Sequence, residues 1–199
     1  MADQKISAMP AADVPLTGAE LVPLVQDGAN VSSTIALFGA YARNTLFNYG
    51  AFQDIDGPQT AAANTVVELR INTTDFTQGV TKAGNRISLT NAGVYSIIIS
   101  LQLSNDSANY DDLTLWPVIN GVAAAGSGST IAVPVKKGAR NGHTILTVQY
   151  TFEFAAAGYF EFNWFCIEGH VSVLTFPASV VTPIHPASAG VILSVIQVG

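Results

Sequence analysis

The sequence predicts an all-β domain, a sandwich or barrel of about 8 to 10 antiparallel strands, and three observations predict it. The stretch TILTVQYTFEF puts Leu146, Val148, Tyr150, Phe152 and Phe154 on one side and Thr147, Gln149, Thr151 and Glu153 on the other. That is the period of two expected for a half-buried strand. The stretch GVYSIIISLQL repeats the pattern, with Tyr95, Ile97, Ile99, Leu101 and Leu103 set against Ser96, Ser100 and Gln102. Finally, the apolar stretches are short and are separated by turn dipeptides such as Asn120-Gly121, Lys137-Gly138 and Asn141-Gly142.

Taken in order, the chain divides into three parts. In residues 1–31, Pro10, Pro15, Gly18, Pro23 and Gly28 interrupt apolar clusters too small to form a core. These residues read as an extended docking arm whose anchors are Ile6, Met9, Leu16, Leu21, Val22, Leu24 and Val25. Proline restrains such an arm and lowers the ordering entropy lost on binding. Residues 32–48 read as a short helical connector, with Ser32 or Ser33 as N-cap and Ile35, Leu37, Phe38 and Tyr41 as its apolar positions. Residues 49–199 hold the strands. Besides the two above, these are VVELRI (Val67, Leu69 and Ile71 together), NRISL, LTLWPVI, STIAVPV, YFEFNWFCI, VSVLTF and the closing GVILSVIQVG.

Composition excludes several partner classes. The net charge is -6 and the eight Lys and Arg are scattered, which argues against a nucleic-acid surface. Charged residues make up 11% of the chain, against roughly 25% in ordinary globular proteins. So few charges predict a surface covered in part by other protein. Pro177, Pro183 and Pro186 break the uncharged C-terminal region, so no apolar run approaches the ~20 residues of a membrane-spanning helix. No membrane partner is expected. The opening MADQKISAMPAADVP has no basic start followed by an apolar stretch, so synthesis without a secretory signal is expected. The single Cys166 permits no intrachain disulfide and reads as a small buried apolar residue.

Two strands are apolar on both sides. In GYFEFNWFCI, Phe160, Phe162, Trp164 and Cys166 form one face, while Tyr159, Phe165 and Ile167 flank Glu161 and Asn163 on the other. In the terminal strand Val191, Leu193 and Val195 oppose Ile192, Ile196 and Val198. An antiparallel strand with two sheltered faces needs a second partner, and the expectation is self-association. The expected interface residues are Tyr159, Phe165, Ile167, Val191, Leu193 and Val195. The expected core is Ile97, Ile99, Leu101, Val148, Tyr150, Phe152, Phe160, Phe162 and Trp164.

The sequence carries no motif for catalytic chemistry. His143, His170 and His185 fall in separate turns with no pair at metal-ligand spacing, and there is no nucleophile elbow, phosphate loop or HExxH. Asp54 with Asp56, or Asp106 with Asp111 and Asp112, are candidate loop cation ligands, though turn formation is the plainer reading. No catalytic residue, metal site or cofactor is expected, and no enzyme activity.

Residues 49–199 resemble the tumour-necrosis-factor-like and complement-globular-head jelly roll in the form met in bacteriophage and other virus proteins. The stretches that carry the likeness are YGAFQD, TVVELRINTTDFTQGV, NRISLTNAGVYSIIISLQLSN, LTLWPVINGV, AAGYFEFNW and PIHPASAGVILSVIQVG. The sequence departs from the family at AGYF, where an acidic residue usually follows the glycine, and in the loop VAAAGSGST. The resemblance implies a jelly-roll β-sandwich and a homotrimer, in which the last strand runs mid-sheet with one face toward its own core and the other toward its neighbours. A second likeness covers residues 5–28. KISAMPAADVPLTGAELVPLVQDG is similar to the opening segment of many phage virion proteins, of the type I-S-x-L-P then L-T-G-x-E-L-V-P-V-V-Q-x-G. Together these imply a capsid decoration (cement) protein, made in the host cytoplasm and placed on the virion head exterior. Its arm would hold the major capsid protein or another virion protein. A tail, collar or fibre-tip protein that binds a host receptor is the alternative.

Overall fold

The structure is a computed structural model that describes residues 19, 21–26, 29–37 and 47–199. The chain forms two compact units, residues 1–46 and 47–199.

In the first unit, β1 (Leu21–Gln26) pairs antiparallel with β2 (Ala29–Thr34), from Leu21 opposite Thr34 to Gln26 opposite Ala29. This corrects the expectation of a wholly extended arm, because residues 21–34 fold back on themselves. The signal was Asp27-Gly28, a hairpin dipeptide placed between two pairable stretches. The expected boundary at residue 31 therefore falls inside a strand. Residues 35–37 are helical, and the Leu37 N–H donates to Thr34 Oγ1 at 3.1 Å. Thr34 thus takes the capping role expected of Ser32 or Ser33, which remain in β2. Of the docking residues, Leu21 is exposed and Val22 half-buried. Ile6, Met9 and Leu16, the side chains of Leu24 and Val25, and the rest of the expected helix lie outside the described residues.

The second unit is built from strands β3 (Tyr49–Asp54), β4 (Gln59–Thr60), β5 (Val67–Glu68), β6 (Thr73–Gln78), β7 (Val80–Ala83), β8 (Arg86–Leu89) and β9 (Gly93–Asn105). There follow β10 (Asp111–Ile119), β11 (Val122–Ala123), β12 (Ser129–Val133), β13 (Gly142–Phe154), β14 (Gly158–Cys166), β15 (Val171–Val173) and β16 (Val191–Gln197). Four of these fourteen are three residues or shorter, which leaves ten of substance, as the sequence predicts. They form an antiparallel jelly-roll sandwich. One sheet runs β13-β9-β16-β3-β6, with β15 and β4 extending it, and the other runs β11-β10-β14-β8-β7, with β12 and β5 attached. The turn between β10 and β11 holds Asn120 and Gly121 at positive φ (50° and 82°), the backbone that tight hairpins require and that these two residues tolerate best.

The terminal strand β16 lies between β3 and β9. Leu193 sits opposite Phe52 on one side and Ile99 on the other, and Val195 opposite Gly50 and Ile97. This register sends Val191, Leu193 and Val195 into the sandwich together with Tyr95, Ile97, Ile99 and Leu101. Opposite them stand Leu113, Leu115, Phe160, Phe162, Trp164 and Cys166 from the facing sheet. Val148 and Phe152 are half-buried against this core, and Tyr150 is buried in it. The stretch VVELRI gives a strand only at Val67–Glu68. Leu69 and Ile71 continue inward as irregular chain, with the Leu69 N–H donating to Phe162 O at 2.8 Å.

Candidate functional site

The outward face of the β13-β9-β16-β3-β6 sheet is apolar and almost without charge. Period two turns Tyr49, Ala51 and Gln53 of β3, Ile192, Ser194 and Ile196 of β16, and Ser96, Ile98, Ser100 and Gln102 of β9 away from the core. None of these is Asp, Glu, Lys or Arg. On β13 the outward series is His143, Ile145, Thr147, Gln149, Thr151 and Glu153, and on β6 Asp75 accepts from Gln53 Nε2 at 2.6 Å, so carboxylates enter on the two edge strands and not between them. Phe76 on β6 packs edge-on to Tyr49 with ring centroids 6.1 Å apart. Ile98, Ile145, Ile192, Ile196 and Phe76 are 40–59% exposed. A contiguous patch of this kind is uncommon on a surface that meets only water. Tyr49, Ala51, Phe76, Ser194 and Ile196 also line an apolar hollow of about 240 Å³.

This arrangement revises the expected interface. Val191, Leu193 and Val195 are fully buried within their own protomer, so they offer nothing to another copy. The outward residues of that strand are Ile192 and Ile196. Tyr159, Phe165 and Ile167 lie outward on β14 and just beyond it, in the facing sheet, so they are separated from Ile192 and Ile196 by the whole sandwich. Two of the three are covered locally, Phe165 packing edge-on to Trp116 at 6.0 Å and Tyr159 lying 4.3 Å under the Arg86 guanidinium, while Ile167 stays 40% exposed. Arg86 Nε also donates to Glu161 Oε2 at 2.9 Å, making this face charged and self-satisfied. Sequence reasoning passed over Ile98 and Ile145. Their signal was present, because each breaks the polar side of an otherwise alternating strand.

Two buried carboxylates of the second unit hold loops in place. Asp54, at the end of β3, is buried and accepts from Arg70 Nε at 2.9 Å, Arg70 Nη2 at 3.0 Å and Gln59 Nε2 at 2.8 Å. The hydrogen bond to Asp54 raises the Arg70 pKa above its ordinary value. Asp111, also buried, accepts the N–H groups of Glu168 and His170 at 2.9 Å each and so caps the turn after β14. Asp106 meets His170 Nδ1 at 3.0 Å. Of the two expected carboxylate clusters, Asp54, Asp106 and Asp111 are therefore engaged with Gln59, Arg70, His170 and backbone N–H groups, and Asp54 and Asp111 are turned inward. His143 lies in β13 rather than a turn, its ring 5.3 Å from that of Phe176. Among the described residues no three His, Cys, Asp or Glu side chains assemble as a metal-holding group. Burial raises the Cys166 thiol, Tyr95 and Tyr150 above their ordinary pKa values.

No protein-family model matches the sequence, and no curated protein is significantly similar to it. Solved structures do share its fold. The chain is similar to murine APRIL in its crystal structure at pH 5.0, with a TM-score of 0.50 and 9% identity over 76% of this chain and 99% of that one. Murine APRIL at pH 8.5 and at pH 8.0 gives TM-scores of 0.46 and 0.44, at 9% and 10% identity over the same shares of both chains. At this identity the likeness is one of architecture alone, the antiparallel jelly-roll sandwich.

Proposed function

We propose that the protein is a homotrimeric bacteriophage structural protein, a capsid decoration (cement) protein whose jelly roll stands on the head exterior and whose N-terminal segment binds major capsid protein. The observation that carries the self-association is the outward face of β3, β16 and β9, which holds isoleucines, small hydroxyl side chains and no charge. Obligate interfaces bury about 2,000 Å² or more and exclude charge from their centre, and this face has that character. A two-stranded hairpin such as β1-β2 is marginal alone in water, which suits a segment completed by a partner. The virion assignment rests on the likeness of residues 5–28 to the opening of phage virion proteins.

The mechanism is mechanical. Each N-terminal segment adds buried contacts that must break before neighbouring capsid subunits separate, and anything that binds only the intact shell stabilises it by mass action. Three segments on one trimer make individually weak contacts durable. Deleting or stripping the protein is expected to lower the temperature at which particles release DNA, with copies distributed over the head in reconstructions. A few copies confined to the tail, with unchanged thermal release, would overturn this reading in favour of a tail, collar or fibre-tip protein.

A further inference from the structure

The strand line made by β15 and β16 is interrupted where the two meet. β15 runs beside β9 with Val171 opposite Asn105 and Val173 opposite Leu103, and β16 resumes the same line with Val191 opposite Leu101. At the junction the Leu174 N–H donates to Gln102 O at 2.8 Å and the Gln102 N–H donates to Gly190 O at 2.9 Å, so residues 175–189 leave and rejoin the sheet at one residue of β9. They cannot stay in its plane, since β9 holds one side of the line and β3 and β4 the other. Inward the way is closed by Leu101, Leu103, Val173 and Val191, all buried. The insertion therefore rises from the outward face, and the Phe176 ring crosses β9 to meet His143 of β13 at 5.3 Å. Phe176 pairs with Ser188 and Ser179 with His185, which makes the insertion a hairpin. The Ser179 hydroxyl donates to Val181 O at 2.8 Å and accepts from the Val181 N–H at 3.3 Å, so the tip is held in shape. That tip carries Val180, Val181 and Ile184 at 72–87% exposure, and residues 175–189 contain no Asp, Glu, Lys or Arg.

We propose, on the reading that copies associate through this face, that the hairpin is a clasp whose aliphatic tip seats in the apolar hollow of a neighbouring copy. Six residues, Phe176 to Val181, span up to about 20 Å when extended. Two sheets packed face to face lie only about 10 Å apart, so the hairpin cannot stand upright between copies and has to lie along one of them. The hollow formed by Tyr49, Ala51, Phe76, Ser194 and Ile196 matches the tip in polarity. Its volume of about 240 Å³ exceeds the ~150 Å³ of a dry apolar cavity that takes a benzene ring, so a branched aliphatic side chain fits. The occupant follows from position. The hairpin base overlies β9 and reaches β13, whereas the hollow lies on β16, β3 and β6, the opposite flank of the same face. The exposed tip does not fill the hollow of its own chain. Each copy can therefore give its hairpin to one neighbour and receive one from another, the head-to-tail contact that closes a ring. A tip already shaped by Ser179 loses little ordering entropy on docking. A lipid surface is the poorer match, because residues 175–189 hold no Lys, Arg or Trp to meet headgroups.

The test uses the full chain with a cysteine at the tip, Ile184→Cys, and one in the hollow, Ser194→Cys; the native Cys166 is buried. A disulfide needs Cα atoms about 4.4–6.8 Å apart, so it reports seating directly. Co-expressed and mildly oxidised, the two single variants are expected to give a linked pair on a non-reducing gel, neither alone should link, and the chain carrying both substitutions should link into a covalent trimer. As a second measurement, Val181→Ser/Ile184→Ser, both at the exposed tip, is expected to weaken association at least tenfold, roughly, in sedimentation equilibrium with unchanged circular dichroism. A parent trimer that gives no mixed disulfide, or that the tip variant leaves equally tight, overturns the clasp and leaves association through β3, β16 and β9 standing. Linking of Ile184→Cys to itself overturns it too, because the tips then meet each other. A tip variant that stays as tight a trimer but no longer binds capsids overturns it in favour of a capsid contact. A parent that sediments as a monomer overturns the clasp and the self-association together.

Discussion

The side-chain amide of Asn48 occupies the space where a β-carbon on Gly79 would stand: a methyl there would lie 1.6 Å from Asn48 Oδ1. Asn48 is buried, and its Nδ2 donates to the Tyr95 hydroxyl at 3.2 Å and to Gln197 Oε1. Its backbone carbonyl accepts from the Gln197 N–H at 2.8 Å. One asparagine therefore ties the start of β3 to the end of β16, and Gly79, at φ +64°, makes room for it. Gly79→Ala adds both a steric collision and left-handed strain, and is expected to destabilise the domain by about 3 kcal/mol in denaturant titration. In Gly79→Ala/Asn48→Ala the collision with the amide is gone and only a tight 3.2 Å contact with the β-carbon of residue 48 remains, so the double variant should cost clearly less than the sum of the two singles.

Asp54 and Arg70 give a second test. The carboxylate is buried while the Arg70 side chain is 38% exposed, so the pair is sheltered on one side only. Arg70→Met removes the two arginine donors and leaves Gln59 as the remaining side-chain donor to a buried charge. Breaking a fully buried pair costs about 3–5 kcal/mol, and solvent at Arg70 reduces this to roughly 2 kcal/mol. Replacing both partners, as Asp54→Val/Arg70→Met, removes the stranded charge and should recover much of the loss. If the double variant is less stable than Arg70→Met, the hydrogen bonds matter here more than the desolvated charge.

Stability should also fall on the alkaline side. Burial raises Cys166 above its ordinary 9.0, and Tyr95 and Tyr150 above 10.0, so between the ordinary and raised values the folded state holds protons that the unfolded chain has released. Stability decreases with pH wherever the folded state binds more protons. The contribution is therefore complete at neutral pH, begins to fall near pH 9 through Cys166, and falls further above pH 10 through the tyrosines. Urea titrations from pH 7 upward should show this, and Cys166→Ala should remove the first decline. In the native state the thiol should react with an aromatic disulfide only as fast as the domain opens.

How much of this is legible in the sequence depends on how local the cause is. The strands β9 and β13 can be read directly, because one face of each is polar and alternation reports burial residue by residue. The hairpin β1-β2 was marked by Asp27-Gly28 but hidden by the prolines around it. For β16 the alternation shows two apolar faces and stops there. That Val191 rather than Ile192 points inward follows from its register against Phe52 and Ile97, which are distant in sequence. The same holds for β14, where Trp116 and Arg86 cover Phe165 and Tyr159 from other strands. The face that stays open became visible only when Ile98, Ile145, Ile192 and Ile196, each a minor irregularity alone, were brought onto one side of one sheet.

That face yields the most direct prediction. Ile192→Glu or Ile196→Glu places a carboxylate at its centre, where none of the outward residues of β3, β16 or β9 carries an opposite charge to receive it. A charge buried without a partner costs about 3 kcal/mol or more, and 1.4 kcal/mol is a tenfold change in equilibrium constant, so association should weaken at least about a hundredfold per contact. Sedimentation equilibrium at micromolar concentration should show the parent as a trimer and these variants as monomers with unchanged circular dichroism, since both side chains already face outward. Phe165→Ser, on the opposite sheet, is the control: it should leave the trimer intact. If Phe165→Ser dissociates the assembly while Ile196→Glu does not, the contact lies on the β14 face, and the covering of Phe165 by Trp116 is insufficient to keep that face in water.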